Sequence, residues 1–163
     1  MTAVAGAISV EDRLRIADLY AAYAACLDDA RFAEWPDFFT DDCTYRIVPR
    51  ENYDRGLPLA TLSFESKGML RDRVYAVTET LFHEPYHQRH IVSGFVVRAG
   101  DAGEFRVQAN YVVIRTKKGA LSEVYNAGRY VDRIVDENGA LRFREKLCVF
   151  DSELIPNSLI YPI

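Results

Sequence analysis

A chain of 163 residues with 49% apolar and 27% charged side chains has the length of one domain and enough apolar surface to bury a core, which excludes a disordered chain. Its net charge of −4 argues against a nucleic-acid partner, and no unbroken apolar run approaches the ~18 residues of a membrane span. Met1–Ile8 is small and apolar, lacks the basic start of a signal peptide and is expected to be flexible. Cys26, Cys43 and Cys148 leave one thiol unpaired in any disulfide scheme, so reduced cysteines in a cytoplasmic protein are expected.

Ser9-Val10-Glu11-Asp12 resembles a capping box ahead of a first helix. Ile16, Tyr20, Tyr23 and Leu27 then recur on one helical face, and Ala21, Ala22, Ala24 and Ala25 thin the helix. A second short helix is expected over Phe32–Phe39, with Trp35 and Phe38 inward and Pro36 in its first turn. Asp41-Asp42 lead into a strand where Cys43, Tyr45 and Ile47 alternate with Thr44, Arg46 and Val48. Residues 49–66 read as irregular, broken by Pro49, Gly56 and Pro58. A third helix is expected over about 67–82, with Leu70, Val74, Val77 and Leu81 at helical spacing.

From Gln88 onward the signal is strands. Gly100–Gly103 makes a turn, Phe105–Lys117 is rich in β-formers, and Lys117-Lys118-Gly119 is a hairpin tip. Leu121–Val135 follows, then Asn138-Gly139, a strong hairpin dipeptide. Leu141, Phe143, Leu147 and Val149 are expected on one face of the last strand, Leu141–Phe150. Helices first and then a long antiparallel meander argue for an α+β fold, with strands long enough to curl around the helices. The chain reads as a single domain over 1–163, with no repeat, linker or low-complexity segment.

Several motifs point further. They are Lys67–Val74, Glu84-Pro85-Tyr86-His87-Gln88-Arg89-His90-Ile91-Val92, Asn126-Ala127-Gly128-Arg129-Tyr130, Leu147–Glu153 and the stretch from Ile155 to Ile163. Together they resemble the small (beta) subunit of Rieske-type aromatic-ring-hydroxylating oxygenases, from about Glu11 onward. Pro49–Asn52, Gly56–Leu59 and the Ile155–Ile163 tail turn the resemblance toward the salicylate 5-hydroxylase branch of that family. One departure is Gly94, where many members carry asparagine. The resemblance implies a nuclear-transport-factor-2-like cone, a curled sheet with a helix-lined pocket. It also implies a chain without a catalytic centre, which braces a large (alpha) subunit as three small chains beneath three large ones. The large subunit is then expected to carry the Rieske 2Fe-2S cluster and a mononuclear Fe(II). Ferredoxin and reductase components would deliver electrons from NAD(P)H, and the substrate would be an aromatic carboxylate such as salicylate, hydroxylated to gentisate.

Three constellations could carry chemistry. His83, His87 and His90 lie within eight residues, but Pro85 breaks the spacing that would align them, and the cysteines lie far apart, so no metal or cofactor site is expected in this chain. Asp28, Tyr45 and His90 form an alternative catalytic set: Asp28 and His90 as a general acid/base pair and Tyr45 polarising a carbonyl, as in dehydratases and isomerases of the cone fold. The competing reading is a buried network that rigidifies the pocket, and it carries more weight, because fold does not imply function. Arg71, Arg73 and Arg89 are candidate interface residues. So are Leu159, Tyr161 and Ile163, from a tail over 154–163 that is unusually apolar. The tail is expected to dock on a neighbour rather than on its own sheet. The alternatives to the subunit reading are a stand-alone cone-fold dehydratase or isomerase using Asp28 and His90, and a small-molecule binding module.

Overall fold

The computed structural model describes residues 7–154 and 159–163. The expected flexibility of Met1–Gly6 and the course of Ile155–Ser158 lie outside them. Helix α1 (Val10–Asp28) opens where the sequence indicates: the backbone N–H of Asp12 donates to the Ser9 hydroxyl at 2.9 Å. It buries Ile16, Tyr20, Tyr23 and Leu27, the expected face, together with Leu19 and Cys26. A 3-10 helix at Phe32–Phe38 follows, with Trp35 fully buried, and Phe39 already begins strand β1 (Phe39–Pro49).

Residues 49–66 are more ordered than expected. Pro49 stands just before a short helix α2 (Arg50–Asp54), and Leu62–Phe64 forms β2, antiparallel to β1. The breakers bound elements here rather than abolish them. The third helix is shorter than expected. α3 (Lys67–Tyr75) widens into a π-helical turn over Ala76–Thr80. Leu70 and Val77 reach the core, whereas Leu81 lies beyond the turn and is exposed.

The strands β3 (Tyr86–Ala99), β4 (Phe105–Lys117), β5 (Glu123–Glu137) and β6 (Ala140–Phe150) form the expected antiparallel meander. β1 joins it by pairing parallel to β6, giving the order β2-β1-β6-β5-β4-β3. β3 is therefore an edge strand, and α1 packs against it.

Bulges decide which side chains face inward. On β3 two residues, Gly94 and Phe95, stand opposite Ala109 alone. Gly94 adopts φ +68°, and a Cβ there would lie 2.8 Å from the Asn110 amide nitrogen. The bulge moves Phe95 and Val97 onto the same face as Gln88, His90 and Val92. On β6, Arg144 has no partner on β5, because Phe143 pairs with Ile134 and Glu145 with Arg133. The expected face is corrected accordingly. After the bulge Lys146, Cys148 and Phe150 follow Leu141 and Phe143 into the core, and Leu147 turns away. At Gly128 any Cβ would sit 1.9 Å from the Val149 carbonyl oxygen, which accounts for glycine in the Asn126–Tyr130 motif.

The tail is a further correction. Leu159, Tyr161 and Ile163 are buried against their own chain, where the tail docks on its own sheet. The helices do not fill the concave face by themselves, since α1 is lined with alanines, and Ile163 completes the core. Arg73, expected at an interface, instead donates to the Leu159 and Ile160 carbonyls at 2.7 and 2.8 Å.

Gly128→Ala should lower the unfolding free energy of the isolated chain by about 1–3 kcal/mol, the usual cost of forcing atoms into a packed site. Urea denaturation checks this; unchanged stability would show that the β5–β6 approach is looser than described.

Candidate functional site

The C-terminal end of α1 brings Asp28 to the edge strand. Its carboxylate accepts the His90 backbone N–H at 3.0 and 3.1 Å and His90 Nδ1 at 2.6 Å. A carboxylate only accepts, so Nδ1 carries the hydrogen. Both side chains are almost wholly buried, and the exposed Arg89 guanidinium lies 3.7 Å from Asp28. His90 Nε2 is buried without a partner. Asp28 thus satisfies an outward N–H of an edge strand and ties α1 to it. An open groove of about 390 Å³ lies alongside, floored by the alanines of α1 and walled by Val92 and Phe95.

The structure brings Asp28 and His90 together but gives Tyr45 other work. The Tyr45 hydroxyl donates to the Ile163 main-chain carboxylate oxygen and accepts the Ile163 N–H, each at 3.0 Å. Burial pushes this phenol well above its ordinary pKa. It belongs to the tail, not to the Asp28-His90 pair.

The three histidines do not converge. His83 Nε2 pairs with the Tyr161 hydroxyl at 2.9 Å, His87 is exposed, and His90 is held by Asp28. Among the described residues no group of three or more His, Cys, Asp or Glu side chains could hold a metal ion. Burial pushes the Cys26 and Cys43 thiols up to about 11 and Cys148 to about 12. The described residues do not fit a Rieske cluster or a mononuclear iron.

Sequence reasoning missed the ion pair at the centre of the cone. The Lys146 ammonium, fully buried, donates to Asp132 at 2.9 Å, and the Tyr20 hydroxyl donates to the same carboxylate. Four rings surround the ammonium, with Tyr130 closest at 3.4 Å and Phe143, Tyr23 and Tyr20 at 4.4 to 4.9 Å. Desolvation raises the Asp132 pKa, against the pull of Lys146 and Tyr20. The available signal was a lysine two residues before Cys148 and four before Phe150, but the Arg144 bulge hid its parity. The neighbouring charges on the convex face are of another kind: Glu104 is chelated by Arg133 at 2.8 and 3.0 Å, which holds its carboxyl below the usual range.

This architecture defines the class: residues 9–146 match the SnoaL-like domain family. The small subunit of anthranilate 1,2-dioxygenase from Burkholderia cepacia is 39% identical, over 86% of this chain and 88% of that one. Subunit beta 2 of the terminal oxygenase component of terephthalate 1,2-dioxygenase from Comamonas sp. is 32% identical, over 93% and 99%. The crystal structure of a Novosphingobium aromaticivorans protein assigned as the beta subunit of an aromatic-ring-hydroxylating dioxygenase superposes with a TM-score of 0.85, at 38% identity, covering 95% of this chain and 100% of that one. The chain belongs to the small (beta) subunits of aromatic-ring-hydroxylating dioxygenases, an oxygenase component of aromatic degradation, on the cone fold expected from its sequence.

Asp132→Asn should destabilise the chain by about 3–5 kcal/mol, because it strands a buried ammonium. Replacing both partners, Asp132→Leu with Lys146→Met, should recover most of that loss. Chemical denaturation of the single and double variants checks it, and a double variant as unstable as the single one would count against the pairing.

Proposed function

We propose that this chain is the non-catalytic small subunit of a Rieske-type oxygenase that hydroxylates an aromatic carboxylate of the salicylate type. In this reading it braces the large subunit, three of each in the assembly. The large subunit carries the 2Fe-2S cluster and the mononuclear Fe(II), and ferredoxin and reductase components supply electrons from NAD(P)H. The substrate class is supported by three of the relatives, whose names specify anthranilate, terephthalate and p-cumate, all aromatic carboxylates, while a more distant one is named for 2-aminobenzenesulfonate.

The observation that carries the non-catalytic part is the filled cone. The interior of this chain packs Tyr20, Tyr23, Trp35, Tyr45, Phe39 and Phe143 together, with Lys146 held among Tyr20, Tyr23 and Phe143, and Ile163 joins the same core. Asp28 is occupied by three hydrogen bonds to one residue, which suits a clasp better than a general base. For contact with the large subunit, Arg71 and Arg89 remain the exposed cationic candidates, Arg89 beside Asp28, since Arg73 is committed to the tail.

Co-expression with a Rieske-motif large subunit tests the reading. The two chains should copurify, and all iron should stay with the large chain after separation. Asp28→Asn and His90→Ala should lower the melting temperature, each by the equivalent of about 1–3 kcal/mol for a group losing its buried partner. Turnover per assembled complex should stay within about twofold. A variant that assembles fully, keeps its stability and loses nearly all turnover would place catalysis in this chain instead.

A further inference from the structure

Helix α1 and the edge strand β3 part along the open groove of about 390 Å³. That volume is at the low end of the roughly 300–1,000 Å³ of small-molecule pockets, and it has room for one aromatic ring. The floor is Ala17, Ala21, Ala24 and Ala25, whose short side chains keep the helix from filling the space itself. Phe95 walls the groove from the strand side and packs on the Tyr20 ring, 5.2 Å between centroids. Phe95 stands in the β3 bulge without a cross-strand pair and is half-buried.

His90 lines the same groove, and its side chain is fully buried. Nδ1 is fixed on Asp28 at 2.6 Å, and Asp28 also holds the His90 backbone N–H, so the ring is not free to turn. Nε2 has no partner among the described residues. A neutral imidazole carries one hydrogen, here on Nδ1, which leaves Nε2 a bare acceptor. A buried acceptor left unmatched is costly, and folded proteins pair nearly all of them. The missing partner is a donor, and the groove beside it is apolar and aromatic.

We propose that the α1–β3 groove is a binding site for a small phenol. The ligand hydroxyl donates to His90 Nε2, and its ring lies on the alanine floor against Phe95. Asp28 is a positioning residue: it holds the tautomer that turns a lone pair toward the ligand, and no proton is transferred. Nε2 is closed to bulk water, so the phenol seats as Phe95 turns aside, a movement that its unpaired place in the bulge allows. A carboxylate in the same position would bring only acceptors to an acceptor. The site does not rest on the subunit reading, because it is measured on the chain alone, whereas that reading is measured by copurification.

Titration of the full chain with phenol tests this, read by the nitrogen-15 signals of labelled histidine and by melting temperature. With three histidines in the chain, the His90 signals are readily assigned. Phenol should move the Nε2 signal of His90 toward its hydrogen-bonded position, leave those of His83 and His87 in place, and raise the melting temperature. Anisole, which has the ring without the donor, and benzoate should do neither. Ala21→Leu and Ala25→Leu fill the groove from exposed positions and leave the Asp28 hydrogen bonds intact. Each should weaken phenol binding about tenfold or more. Ala22→Leu, exposed on the same helix but outside the groove, should leave the affinity unchanged. Should one groove variant fail to fold, the other carries the comparison. An Nε2 signal unmoved at high phenol, as a trapped water would leave it, would overturn the proposal. So would anisole or benzoate binding as tightly as phenol, or full phenol affinity in a folded groove variant.

Discussion

A lysine ammonium and an aspartate sealed inside an aromatic cone set the terms for the rest of this molecule. Neither charge reaches water, so each must find its stabilisation within the protein. Asp132 receives it from Lys146, from the Tyr20 hydroxyl and from the backbone N–H of Leu147. Lys146 receives it from that carboxylate and from the faces of Tyr130, Tyr20, Tyr23 and Phe143. These groups come from α1, β5 and β6, so the pair fixes the helix on the sheet and the register of two strands. Apolar packing alone would tolerate a slide that this arrangement does not.

Two other contacts finish the same task at the periphery. At the open edge of the sheet, Asp28 reaches from the last residue of α1 to His90 and covers a backbone donor that another chain could otherwise pair with. On the opposite wall Tyr23 and Tyr45 bind the backbone of Ile163 and draw the tail into the concave face. The helix thus faces three ways, toward edge strand, ion pair and tail. Its alanines permit this by letting the sheet and the tail approach closely.

This division of labour bears on what a small subunit contributes. The hydroxyls of Tyr20, Tyr23 and Tyr45 are turned on groups of the protein itself. The charges on its sheet surface are paired as well, as Glu104 is with Arg133.

Much of the fold was legible in the sequence because it is written in local terms. The Ser9 cap, the 3.6-residue spacing of Ile16, Tyr20, Tyr23 and Leu27, and the Asn138-Gly139 turn each depend on near neighbours only. Local patterning also indicated the meander and its curl, and motif resemblance the family. What the sequence did not disclose depends on register. One unpaired residue at Arg144 reverses the parity of everything after it, and so places Lys146 rather than Leu147 in the core. Asp28 and His90 were correctly grouped, but only the crossing of α1 over β3 showed that Asp28 spends its oxygens on the strand as well as the ring. Tyr45 was grouped with them from position alone, and the tail claimed it. The tail's own destination was equally undetermined: its apolar residues require burial, but composition does not say against what. The sequence by itself determined the elements, the class and the need to bury that tail. The tertiary structure decided where the buried charges and the tail meet, because that choice is made by strand register and by contacts between residues more than a hundred positions apart.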